Sequence, residues 1–190
     1  MIQGKTKKRA LSRDYLIKAT YSYLQRFATT EKNLRLVLDR KVKRRLPETE
    51  AEDAYSQAQD WIEDIVQKAV EQKLVDDRQF AEAKAASLLR SGNSKMKISQ
   101  KLLAKGVEVD MLADVMADLS EQHQDLDFHS AVKYIKKRRF GAFSHRHDGS
   151  SLVEKELASV CRAGFSYSLA DKILKMPRQE LEEILYQNRM

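Results

Sequence analysis

The chain has 190 residues, 33% of them charged and 7% aromatic, with one cysteine and a net charge of +7. This composition describes one or two water-soluble domains; it excludes an intrachain disulfide and a thiolate metal cluster, and it leaves no apolar run long enough for a bilayer. Residues 1–46 hold 14 Lys/Arg against 3 Asp/Glu, residues 47–90 hold 5 against 11, and residues 91–190 hold 16 against 14. A basic first part thus precedes an acidic middle, and a polyanionic partner is expected.

The segments between two prolines and six glycines are rich in Ala, Leu, Lys, Glu and Gln, which are good helix formers. The N-terminus is basic and then amphipathic, without the apolar core of a secretory signal, so a cytoplasmic protein is expected. Helices are predicted over 12–28 and 31–45, the second with a stripe of Leu34, Leu38 and Val42. An acidic linker over 47–52 follows. The helix over 52–73 carries Trp61, Ile62, Ile65, Val66, Ala69 and Val70 on one face of a 3.6-residue period.

Asp76 and Asp77 open a helix over 77–91, where carboxylates favour the helix N-terminus. Gly92-Asn93-Ser94 forms a turn, with Ser94 as N-cap of a helix over 94–105 that carries Ile98 and Leu102 and ends at Gly106. Helices over 108–121 and 127–139 come next, then a Ser/Gly-rich loop. A helix over 150–163 presents Val153, Leu157 and Val160, with Cys161 as a small core residue. Gly164 ends it, Ser166 caps a helix over 166–175, and Pro177 opens a last helix over 177–187.

The chain repeats. Glu71-Gln72-Lys73-Leu74-Val75-Asp76-Asp77 with Phe80-Ala81 aligns with Glu121 to Asp127 and Ser130-Ala131 at an offset of 50 residues. Tyr23-Leu24-Gln25-Arg26 leading into Leu34, Leu38 and Lys41 aligns with Ser87-Leu88-Leu89-Arg90 leading into Ile98, Leu102 and Lys105 at an offset of 64. The expected architecture is all-α, an elongated tandem array of three-helix, helix-turn-helix-like units. Its parts are a basic arm and first repeat over 1–46, the linker over 47–52, a second repeat over 53–107, a third over 108–176 and a helical tail over 177–190.

No Gly-rich phosphate loop, HExxH, GxSxG or spaced Cys/His set occurs, so no catalytic residue, metal or cofactor is expected. His145-Arg146-His147-Asp148 lacks partners of metal-ligand spacing and reads as solvated loop. The basic residues remain. Lys43, Arg44 and Arg45 finish the second helix, Arg90 the fourth, and Lys136, Lys137, Arg138 and Arg139 the seventh; Lys97, Lys101 and Lys105 follow i, i+4, i+8. Cations at helix C-termini are favoured by the macrodipole in any case, but three units placing them alike form a candidate surface for phosphates, bound without sequence readout.

The run LVDDRQFAEA…LLRSGNSKMKISQKLLAKGV resembles the central signature of the RecX family, regulators of the RecA recombinase. YLQRFATTEKNLRLVLDRKVKRR and KKRRFGAF…EKELASVCRAGFSYSLADKIL resemble its first and third repeats. The likeness covers about residues 12–175; Lys41-Val42 stands where a Lys-Gly is typical. The resemblance implies a non-enzymatic monomer of three-helix units that lodges in the groove of the recombinase filament on single-stranded DNA. There it would modulate ATPase, strand exchange and filament growth, usually by inhibition, with weak direct DNA binding at most. The competing readings are a free-standing helical DNA- or RNA-binding module and a helical-repeat adaptor for another protein.

Overall fold

The computed structural model describes residues 11–46, 52–122, 125–145 and 150–187. The expected N-terminal arm, nearly all of the acidic linker, and His147 with Asp148 lie outside the described residues. Among those described there are only helices: α1 (Arg13–Leu24), α2 (Glu31–Lys43), α3 (Glu52–Glu71), α4 (Asp77–Arg90) and α5 (Lys95–Leu103). They continue as α6 (Val109–Gln122), α7 (Leu126–Arg138), α8 (Ser150–Arg162), α9 (Tyr167–Lys175) and α10 (Arg178–Gln187), with a short 3-10 turn over Gly141–Phe143. Each matches a predicted element to within a few residues. Ser94 and Ser166 accept from Lys97 N–H and Leu169 N–H, so both are the N-caps their position predicts.

One compact unit comprises residues 1–80 with 105–107. Its core joins Leu16 of α1, Leu34, Leu38 and Val42 of α2, and Ile62 and Val66 of α3, all with no exposed surface. The stripe on α3 is therefore what seats it on α1 and α2, and truncating Leu34 or Leu38 to alanine would cost about 2–5 kcal/mol. The sequence-based grouping placed this helix with the two that follow; its apolar face goes to the two that precede it.

The second unit comprises residues 81–104 and 108–190. α5 packs on α6 and buries Ile98 and Leu102, and a separate cluster joins Val132 and Ile135 of α7, Val160 of α8, Ile173 of α9 and Leu181 of α10. The C-terminal helix is thus a packed part of this unit, resting on α7. One predicted stripe is corrected: Val153 is exposed, and Glu156 on the same helix is buried. The cause is a polar contact, since Glu156 Oε2 accepts the Gly141 N–H at 2.8 Å and turns that face of α8 toward the 3-10 turn.

Each unit contains the same joint. In the first, the Asp77 carboxylate accepts the backbone N–H of Glu31, the first residue of α2, at 2.8 Å, and the Thr30 hydroxyl donates to the Lys105 carbonyl. In the second, Asp127 accepts from Lys95 N–H, the first residue of α5, at 2.8 Å, and the Ser94 hydroxyl donates to the Ala163 carbonyl at 2.7 Å. A helix begins with unpaired N–H groups, and here a carboxylate from a distant helix start supplies one partner. A glycine closes each joint. Gly106 (φ +90°) would bring a Cβ to 2.7 Å from Lys32 Cβ, and Gly164 (φ +95°) would bring one to 2.4 Å from Ser94 Oγ.

The two aspartates read together in the sequence therefore have different roles. Asp76 caps its own helix, accepting from Gln79 N–H at 2.8 Å, whereas Asp77 reaches across to α2. Burial is the main cause that pushes the Asp77 carboxyl above its ordinary range, against the hydrogen bond from Glu31 N–H.

Candidate nucleic-acid interface

The cations singled out in the sequence meet different fates. Lys43 pairs with Asp39 at 2.8 Å, and the same carboxylate accepts from Tyr55 Oη at 2.6 Å and from Gln59 Nε2 at 3.0 Å. Burial alone would raise the Asp39 carboxyl, but these hydrogen bonds outweigh it and hold the group below its ordinary range; the hydrogen bond to Asp39 correspondingly raises Lys43. Arg45 lies over the Tyr15 ring at 3.5 Å, and Arg44 Nε donates to the Arg40 carbonyl at 3.1 Å. This basic cluster is tied into the packing of α1, α2 and α3.

The second cluster is looser. Lys136, Lys137, Arg138 and Arg139 are all exposed, as is Arg90. Arg139 ends α7 in the left-handed conformation (φ +58°), so Phe140 N–H reaches back to Ile135 O at 2.9 Å. Arg138 lies 6.0 Å from the Tyr134 ring and 5.8 Å from the Phe140 ring, which hold the guanidinium in place; Lys136 lies 5.7 Å from the Phe143 ring. Gly141 (φ +53°) follows because a Cβ there would meet the Leu174 carbonyl at 2.9 Å.

The expected three-lysine ridge is shorter than its spacing suggested. α5 ends at Leu103, so Lys97 and Lys101 share its face, and Lys105 belongs to the glycine-containing segment of the first unit. Lys97 Nζ donates to Gln100 Oε1 at 3.1 Å, and Lys101 Nζ donates to Asn93 Oδ1 at 2.7 Å.

Three of these cations come together in the second unit around a recess of about 390 Å³. Lys97 and Lys101 enter from α5, Arg138 from α7 beside Tyr134, and Arg162 from the last turn of α8 beside Ser159 and Ala163; Gly92 and Asn93 complete the lining. Among the described residues, no Asp or Glu lines it. Four cations without a lining carboxylate leave a local positive potential that attracts polyanions. The joint helps to form the recess: the Ser94 hydroxyl on Ala163 holds the start of α5 against the end of α8, and Asp127 on Lys95 N–H ties the start of α7 to the same point. Gly92 (φ +78°) is needed where the α4–α5 turn passes the backbone of Ser130 and Tyr134.

Sequence reasoning missed Arg162. The signal was present, since Arg162 is a last-turn cation two residues before Gly164, but a lone arginine does not stand out as a run of four does. Among the described residues, no group of three or more His, Cys, Asp and Glu could hold a metal, and no helix is long and apolar enough to cross a membrane.

Fold and recess together define a tandem helical-repeat protein with a cation-lined recess. Residues 76–116 match the family model described as RecX, second three-helix domain, a span that takes in α4, α5 and the start of α6. The chain is 35% identical over 173 residues to the regulatory protein RecX of Myxococcus xanthus, covering 90% of each. It is 30% identical over 162 residues to the regulatory protein RecX of Agrobacterium fabrum, covering 85% of this chain and 83% of that one. The crystal structure of RecX from Lactobacillus salivarius has the same fold at 21% identity, with a TM-score of 0.59 over 90% of this chain and 97% of that one. The chain belongs to the RecX family of regulatory proteins.

Proposed function

We infer that this regulatory protein acts on a RecA-like recombinase filament, lodging in the filament groove on single-stranded DNA and slowing ATP turnover, strand exchange and filament growth. The observation that carries the reading is the match to relatives named as RecX regulatory proteins along nine-tenths of the chain. The tandem architecture supports it physically. Repeated helical units can engage successive subunits of a filament, and contacts that are weak singly add through effective concentration. The protein works in the cytoplasm as a monomer, and regulation requires no catalytic step of its own.

We assign the repeats as α1–α3, α4–α6 and α7–α9, each joined to the next through the Asp–Gly joint, with α10 packed on the last. The test is recombinase ATPase on single-stranded DNA with the full chain added below stoichiometry. Turnover should fall by more than the molar fraction added, and filaments should shorten. Unchanged turnover and unchanged filament length would overturn the reading.

A further inference from the structure

The recess lined by Lys97, Lys101, Arg138 and Arg162 is not a by-product of the repeat. Counted from the N-caps Ser94 and Thr30, Lys97 and Lys101 stand where the earlier repeat has Asn33 and Val37. Counted from Asp127 and Asp77, Arg138 stands where Leu88 does; counted from Gly164 and Gly106, Arg162 stands where Ala104 does. The first joint makes the same hydrogen bonds with a neutral residue at all four positions, so closing the joint requires none of the four charges. Other recess positions run the opposite way, with Tyr134, Ser159 and Ala163 standing where Lys84, Lys101 and Lys105 stand earlier. The four cations are a feature of this recess and not a consensus of the repeat.

We propose that this recess is a phosphodiester site that grips the backbone of single-stranded nucleic acid. The donor set fits: two guanidinium forks match phosphate oxygens, two ammonium groups add point charge, and Asn93, Ser159 and Tyr134 offer neutral polar groups beside them. Arg138 is held by the Tyr134 and Phe140 rings and Lys101 by Asn93, so part of the ordering cost is met before a ligand arrives. Four positive charges call for a ligand carrying several negative ones, as consecutive phosphates do. The walls come from three helices and the α4–α5 turn, and a recess of about 390 Å³ is met more closely by a chain that can follow its contour than by a stiff rod. A single strand bends easily, whereas a duplex stays straight over about 50 nm. This inference rests on the filament reading, and it places the DNA contact of that reading in the second unit.

The experiment is fluorescence anisotropy of a fluorescein-labelled oligothymidylate titrated with the full chain over a range of salt. Arg138→Glu with Arg162→Glu should weaken binding about tenfold or more and lower the salt slope by about 1.4, at roughly 0.7 for each phosphate that is no longer neutralised. The charge-matched control Lys84→Glu with Lys155→Glu, both exposed and outside the recess, should stay within about twofold. Arg162→Gln guards against misfolding: it should melt as the parent does and still bind more weakly. Equal losses in recess and control variants would overturn the proposal. So would duplex binding as tight as single-strand binding, or displacement of the strand by ATP or poly-glutamate at equal charge concentration. The failures separate cleanly. Regulation without recess-dependent strand binding sinks the site, and strand binding without any effect on recombinase ATPase sinks the regulatory reading.

Discussion

Lys43-Arg44-Arg45 and Lys136-Lys137-Arg138-Arg139 look alike in the chain, each a burst of cations at a helix C-terminus, yet the first is held within its unit and the second is presented. In the first, Lys43 pairs with Asp39 within α2, and Lys43 and Arg45 lie over the Tyr55 ring of α3 and the Tyr15 ring of α1. In the second, the nearby groups are aromatic rings and Arg162, so charge accumulates around a recess with no carboxylate in its lining. A basic run is therefore no guide to its own role. What differs is the surroundings: Asp39, four residues earlier on the same helix, and two tyrosine rings meet the first run, whereas the described lining beside the second holds no carboxylate.

The largest effect that breaks this contrast is expected at the joint. Gly164→Ala places a methyl group against Ser94 Oγ at a left-handed φ, and should cost about 3 kcal/mol in denaturant unfolding while also abolishing strand binding, because the recess depends on that joint. Asp39→Asn tests the other side. Weakening the hydrogen bonds that Tyr55 and Gln59 donate to this carboxylate should cost about 1 kcal/mol with strand binding intact. A loss of strand binding in that variant would erase the distinction between the clusters.

Acid sharpens the same comparison. The Asp39 carboxyl lies below its ordinary range in the folded chain, so its contribution is complete above the unfolded value of about 3.9 and is lost as pH falls through the lower folded value. Melting curves through the acid range should show that loss in the parent chain and a flatter profile in Asp39→Asn. The smallest effect is a gain: Arg139→Gly relieves a left-handed non-glycine residue and should stabilise by about 1 kcal/mol, read as a higher melting temperature. Since Arg139 does not line the recess, strand binding should change little.

Much of this was legible in the chain. Glycine and proline punctuation, good helix formers and a 3.6-residue period are local signals, and the helices around Leu34, Ile62 and Ile98 follow from them directly. Ser94, Ser166, Gly106 and Gly164 were readable as caps for the same reason. The errors fall where a distant partner takes over. Val153 has the right spacing for a core stripe, but the N–H of Gly141 draws Glu156 inward instead. Asp77 reads as a first-turn acid of its own helix, which it is, but its carboxylate is used at the start of α2. α3 has an apolar face, yet nothing in that face says whether its partners lie before or after it.

The difference has a physical basis. Helix propensity, capping and periodicity act over a few residues, so the amino-acid order alone determined the helices, the repeat and the family likeness. Hydrogen bonds such as Ser94 to Ala163 and Lys95 to Asp127 span 69 and 32 residues, and no local rule reports on them. Those bonds, with the packing of α5, α7 and α8, gather Lys97, Lys101, Arg138 and Arg162 around one recess, because only the packing of several helices brings separate charges within reach of one ligand.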